Sequence, residues 1–122
     1  MSISIQQSLQ AFGTGLATLS SSSYNVYHYY RPMMAAPFIV WAEDSERDDL
    51  HADNQKAEVV VNINVDVFTQ TEFDPLLDAV FNYLNDQGLP FSISGVDFEE
   101  DTRLIHYSFD VELAVKPYVP ET

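Results

Sequence analysis

The most constraining feature of the sequence is the stretch from Ala57 to Phe68, in which apolar and polar residues alternate. From Val59 onward one parity is entirely branched aliphatic, and most of the other is acidic or amide: Val59, Val61, Ile63, Val65 and Val67 alternate with Glu58, Asn62, Asn64 and Asp66. A period of two is that of a β-strand covered on one face, and an α-helix cannot produce it. The sequence therefore predicts a long strand with one face in the core.

An amphipathic helix is predicted directly after this strand. Apolar residues recur there at steps of three and four, namely Phe73, Leu76, Leu77, Val80, Phe81 and Leu84. Thr71 or Asp74 is the predicted N-cap, Pro75 suits the first turn, and Gly88 follows the end. A helix in this position can fold back over the strand, so the two predict the centre of the core.

A first helix is predicted from Ser4 to Leu19, where Ser4 and Gln7 have the spacing of a capping box. Gly13 and Gly15 each cost about 1 kcal/mol relative to alanine inside a helix. We therefore expect this helix to depend on docking, its second half to bend, and the glycines to allow close approach of another backbone.

The remaining strands are predicted at Tyr24–Tyr30, Phe38–Ala42, Phe91–Phe98 and Arg103–Leu113, with a hairpin turn at Glu99–Thr102. Glu43 to Asp53 is predicted to be an acidic, solvated loop. The order helix, strand, strand, strand, helix, strand, strand predicts an α+β fold, with a mainly antiparallel sheet and both helices on one face. We expect a single domain over residues 1–122, in which residues 114–122 form an extended C-terminal arm.

The connection from Arg31 to Pro37 is unusually apolar and is bracketed by two prolines. Exposed methionine beside tyrosine suits a surface that contacts a partner, whereas a segment folded over its own core is the other interpretation. The sequence leaves both open.

Nineteen acidic against five basic residues give a net charge of −14. Nucleic-acid binding depends on cations that replace counterions on phosphate, so five scattered cations argue against it. The chain has no cysteine, which excludes thiolate chemistry and Cys-based metal sites. We expect no cofactor, no metal, no membrane span and a soluble protein in the cytoplasm where it is made.

Two acidic groups invite a functional interpretation. Asp44, His51 and Asp53 do not have the spacing of an EF-hand, and a solvated loop is the better interpretation. The carboxylates of residues 97–101 lie at a predicted exposed turn, which does not separate pKa values as general acid–base catalysis requires. An enzyme that uses His28, His51 or His106 remains an alternative, but a lone histidine on a strand is more often structural, and we expect a protein without catalytic activity.

Six segments resemble small neck and tail proteins of tailed phages and prophages of Gram-positive bacteria. They are YHYYRP at 27–32, APFIVWAED at 36–44, HADN at 51–54, TEFDP at 71–75, EEDT at 99–102 and IHY at 105–107. The group is similar to tail-terminator, or tail-completion, proteins, and the likeness extends from about Tyr24 to Leu113. It implies a virion structural protein that forms a ring of six copies, caps the tail tube, and meets the tube protein and the head connector.

Two sets of residues follow as hypotheses about that ring. A subunit interface is predicted at an aromatic and methionine group, Tyr27, Tyr29, Met33, Met34 and Trp41. Residues that face the lumen and repel DNA phosphate are predicted in the acidic loop, at Glu43, Asp44, Glu46, Asp48 and Asp49, with residues 97–101 as a further possibility. The alternative function is a small acidic DNA mimic that inhibits a host nuclease.

Overall fold

The computed structural model describes the backbone of residues 2–20, 25–33, 36–52, 55–115 and 117–118, and the side chains of 4–20, 25–33, 36–45 and 59–115. Two helices and seven strands are formed in this part of the chain. In chain order they are β1 (Ser2–Ile3), α1 (Ile5–Ala17), β2 (Asn25–His28), β3 (Phe38–Ala52), β4 (Gln55–Thr69), α2 (Pro75–Asp86), β5 (Phe91–Glu99), β6 (Leu104–Val115) and β7 (Pro117–Tyr118).

The main sheet has five strands in the order β2-β3-β4-β6-β5, so the long strand β4 lies at its centre. All neighbours are antiparallel except β2 and β3, which are parallel. The predicted α+β class and element order are therefore confirmed. A separate two-residue ladder joins β1 near the N-terminus to β7.

One face of the sheet carries both helices, and this helix face holds the main core. Alternate residues of β4 are buried there, from Val59 to Val67, as the period of two predicts. They pack with Leu9, Phe12 and Leu16 of α1 and with Leu76, Val80 and Leu84 of α2.

Helix α1 begins at the predicted cap, because the Ser4 hydroxyl accepts a hydrogen bond from the Gln7 amide at 3.2 Å. The helix is continuous through both glycines. The glycines do allow close approach, but of side chains rather than backbone. A Cβ on Gly13 would lie 2.5 Å from Trp41 Cζ2, and a Cβ on Gly15 would meet the Tyr83 hydroxyl.

Helix α2 has the predicted cap and stop signals. The Asp74 carboxylate accepts from the Leu76 amide at 2.9 Å, Pro75 is the first helical residue, and Gly88 adopts a φ of +69° just past the end. The assignment of Phe73 to the apolar face was wrong. Phe73 precedes the helix, has a positive φ of 58°, and is 89% exposed.

The predicted acidic loop was also wrong, because most of it is strand. β3 continues from Phe38 to Ala52 and pairs with β4 along its whole length, with irregularities between Glu43 and Ser45 and again between Asp48 and His51. Edge strands commonly carry charged side chains, which discourage unwanted strand pairing. In β3, the acidic segment forms its backbone hydrogen bonds with the adjacent strand β4.

The C-terminal prediction needs a smaller correction. β6 runs to Val115, which is buried, so the first two residues assigned to an extended arm belong to the sheet. Pro117 and Tyr118 then form β7, while Lys116 and residues 119–122 lie outside the described part. The predicted hairpin turn between β5 and β6 is confirmed, and the Arg103 amide donates to the Glu99 carbonyl at 2.7 Å.

Candidate assembly surfaces

The connection between β2 and β3 combines the two alternatives that the sequence left open. On the face of the sheet opposite the helices, a second buried cluster is formed by Phe38, Val40, Phe68 and Leu104, and Tyr27 and Ala36 pack against it. Part of the connection is therefore folded over its own core. Tyr29, Tyr30 and Met33 are exposed.

Arg31 fixes this connection across the sheet. Its guanidinium donates to both carboxylate oxygens of Glu99, at 3.1 and 2.8 Å, and lies 4.6 Å from the centre of the Phe68 ring. The hydrogen bonds from Arg31 lower the pKa of the Glu99 carboxyl, with a smaller contribution from the Thr102 hydroxyl. Bidentate pairing restricts the geometry of both groups, so Arg31 links the connection to the β5–β6 turn.

The five residues predicted at a subunit interface have different surroundings. Tyr29 and Met33 are exposed, Tyr27 is partly buried, and Met34 lies outside the described residues. The prediction that Trp41 lies at a subunit interface was wrong, because its side chain is only 5% exposed and belongs to the core between α1 and the sheet. Sequence position gave no sign of this, since the glycine that makes room for the indole is 28 residues earlier.

A groove of about 620 Å³ separates α1 from β2 on the helix face. Its floor contains three stacked rings, in which His28 lies between Tyr29 and Trp41 with 3.7 Å between ring centres on each side. Its helical wall carries the polar residues Gln6, Gln10 and Thr14. The residues that line this α1–β2 groove include no carboxylate.

An apolar ridge lies on the opposite edge of the sheet and was not predicted. Ile93, Val96 and Phe98 of β5 are on the helix face, since they pair with Phe109, Tyr107 and Ile105 of β6, yet they are 44%, 62% and 50% exposed. Alternation in the sequence would place Ile93 on the face opposite Val96 and Phe98, and only the register shift between Ile93 and Gly95 brings the three together. Alternation also does not reveal that the helices leave this face uncovered along β5.

Two exposed aromatic residues, Tyr29 and Phe73, have strained backbones. Tyr29 has a φ of 78° and Phe73 a φ of 58°, a left-handed conformation that is an outlier for a bulky side chain. A backbone of this kind costs on the order of 1 kcal/mol or more, and such strain is concentrated at functional sites. The Phe73 side chain is 89% exposed, whereas the Tyr29 ring stacks on His28.

The face of the sheet opposite the helices is polar and acidic beyond the second cluster. A shallow depression of about 520 Å³ is lined there by Asp44, Asn62, Asn64, Asp110 and Glu112, among others. Of the acids predicted to face a lumen, Asp44 is exposed in this depression. Glu43 instead pairs with His28, with Nε2 and Oε2 3.3 Å apart.

For the other acids predicted to face the lumen, less of the surroundings is described. Glu46, Asp48 and Asp49 belong to the strand β3, but their side chains lie outside the described part of the structure. At the β5–β6 turn, Glu99 is engaged by Arg31.

His106 forms a compact polar group with Asp66 and Ser108 on the acidic face. Its Nε2 is 2.9 Å from Asp66 Oδ1 and 3.3 Å from Ser108 Oγ, and Ser108 also donates to the same Asp66 oxygen at 3.0 Å. A nucleophilic relay needs the histidine to bind serine through one nitrogen and the carboxylate through the other. Here one nitrogen faces both groups, so the arrangement is a closed triangle that fastens β4 to β6.

Among the described side chains, no cluster of three or more histidine, cysteine, aspartate or glutamate residues is arranged to hold a metal ion. None of the described helices is long and apolar enough to cross a membrane. Neither protein-family models nor curated proteins gave a match to this sequence.

Proposed function

We propose that this chain is a structural protein of a tailed phage or prophage virion, which forms a ring that terminates the tail tube and joins it to the head connector. The proposal combines the resemblance of the segments between Tyr24 and Leu113 with the surfaces described above. In this proposal the protein is not an enzyme, and it is located in the neck or tail after assembly in the host cytoplasm.

The observation that supports a ring most directly is the difference in composition and covering between the two faces of the sheet. The helices cover one face, and the other exposes carboxylates and amides around the depression at Asp44 and Asp110. If this acidic face lines a channel, DNA can pass without adhering, since fixed negative charge repels phosphate. The negatively charged lumen is then formed by the sheet rather than mainly by the loop that the sequence indicated.

The first test is the particle itself. Native mass spectrometry and negative-stain electron microscopy of the purified protein should show one closed ring with a central channel, and we expect six copies. A protein that stays monomeric at all concentrations and inhibits a nuclease would favour the DNA-mimic alternative instead.

The second test concerns which face lines the channel. Asp110→Lys on the acidic face should give rings that bind double-stranded DNA, whereas wild-type rings should not. Asp86→Lys is the matched control, because it makes the same charge change at an exposed position of α2. Equal DNA binding by the two variants would contradict the assignment of the acidic face to the lumen.

A further inference from the structure

The β5 ridge and the α1–β2 groove lie on the two opposite edges of one sheet, and both are on the helix face. The ridge and the groove also lie at the same position along the strand direction. One row of paired residues crosses the whole sheet from the ridge to the floor of the groove, through Ile93, Phe109, Val65, Trp41 and His28.

The directions of the edge strands suit the same arrangement. β5 is antiparallel to β6, β6 to β4, and β4 to β3, while β2 is parallel to β3. β5 therefore runs antiparallel to β2. A second copy that keeps its helices on the same side can bring its β2 edge beside the β5 edge of the first.

From these features we infer that the β5 ridge of one copy docks into the α1–β2 groove of the next copy. This inference rests on the proposed ring and names the contact that builds it. Ile93, Val96 and Phe98 would enter a groove whose floor is the stack of His28 and Trp41, and burial of exposed apolar area drives the contact.

Charge favours a second copy as the occupant. Each chain carries a net charge of −14, so most pairs of surfaces on two copies repel each other. The groove lining has no carboxylate, and the Glu43 carboxylate beside it is paired with His28 of the groove floor. Arg103 lies beside the ridge with its guanidinium 5.8 Å from the centre of the Phe98 ring. Two copies therefore meet here with less like-charge repulsion than at the face that carries Asp44, Asp110 and Glu112.

The contact is assigned to side chains rather than to a continuous strand ladder. β5 has an irregularity between Ile93 and Gly95, which bends an edge strand and interrupts regular pairing. Ridge and groove are different surfaces, so the interface is heterologous and each copy uses both. Repetition of such a contact gives a closed ring when the rotation closes.

The test uses one variant for each surface. Val96→Asp places a charge on the ridge, and Thr14→Trp fills the groove from its helical wall. Both residues are exposed in the single chain, so each change is compatible with folding. The matched controls are Ser92→Asp, on the opposite face of β5, and Ala11→Trp, an exposed position of α1 outside the groove.

In native mass spectrometry, both surface variants should lose every species larger than a monomer, and both controls should assemble like the wild type. A mixture of Val96→Asp and Thr14→Trp in equal amounts should form heterodimers and nothing larger. The first variant retains an intact groove and the second an intact ridge, so together they can form one contact.

The outcomes separate this inference from the ring. Rings that persist in both surface variants would overturn the ridge-and-groove contact and leave the proposed function intact. Assembly lost in Val96→Asp but retained in Thr14→Trp would indicate a ridge-to-ridge dimer and would also overturn it. Open chains of variable length that both variants abolish would support the contact and refute the ring.

Discussion

Replacement of Gly13 by alanine tests whether the close contact between α1 and Trp41 determines the stability of the fold. In an unconstrained helix this substitution stabilises by about 1 kcal/mol, because alanine has the higher helix propensity. At Gly13 the added Cβ would lie 2.5 Å from Cζ2 and 3.2 Å from Cη2 of Trp41, so the indole or the helix must move.

The indole has little room to move. His28 stacks on it at 3.7 Å between ring centres, and Phe12 meets it edge to face at 5.3 Å. Overpacking a well-packed core costs about 1–3 kcal/mol, and the confined ring places Gly13→Ala towards the upper end of that range. After the gain in helix propensity, we expect a net destabilisation of about 1–2 kcal/mol.

Gly15→Ala is the matched control on the same helix. Its Cβ would meet the hydroxyl of Tyr83, the far end of a partly buried side chain whose hydrogen bond to the Phe12 carbonyl is long, at 3.4 Å. This ring can swing outwards, so the propensity term should dominate and stability should stay the same or rise by up to about 1 kcal/mol.

Urea denaturation of both variants at one fixed protein concentration measures this difference. A Trp41→Phe background removes the atoms that clash, so Gly13→Ala should cost less there than in the wild type. A Gly13→Ala protein as stable as the wild type, or an unchanged penalty in the Trp41→Phe background, would refute the packing argument.

Four further outcomes are expected. Asp74→Ala should destabilise the protein by about 1–2 kcal/mol in urea denaturation, because it removes the N-cap of α2 and leaves the buried Thr69 hydroxyl without its acceptor. Asp74→Asn should destabilise the protein less. Phe73→Asn should stabilise the protein by a few tenths of a kcal/mol, measured in the same way, because asparagine tolerates a positive φ and the phenyl ring is exposed; a loss of stability would contradict this. Glu99→Gln should lower stability at neutral pH by less than about 1 kcal/mol. Because the pKa of Glu99 is lowered in the folded state, the difference in stability from the wild type should disappear as pH falls through that pKa. A difference in stability that persists in acid would exclude the Arg31 pair as its source. Added salt should favour assembly, since it screens repulsion between acidic copies, and native mass spectrometry that shows rings dissociating from low to moderate ionic strength would contradict this.

The sequence alone was sufficient for the elements whose signals are local. The alternation from Val59 to Val67 fixes both the strand and its buried face, because side chains of a strand point to opposite sides in turn. The ends of α2 follow from Asp74, Pro75 and Gly88, because capping depends on residues next to the helix. With the order of the elements, these signals were enough for the fold class.

The tertiary structure decided what depends on distant partners. The acidic segment after Ala42 is a strand because β4 supplies its hydrogen bonds, and nothing in its own composition favours that. Trp41 is buried because Gly13, on another element, leaves space for it. The ridge at Val96 is exposed because of where the helices lie across the sheet. Local periodicity predicts which side chains of a regular strand share a face, but a register shift such as that between Ile93 and Gly95 changes this, and packing between segments far apart in the chain decides what covers the face.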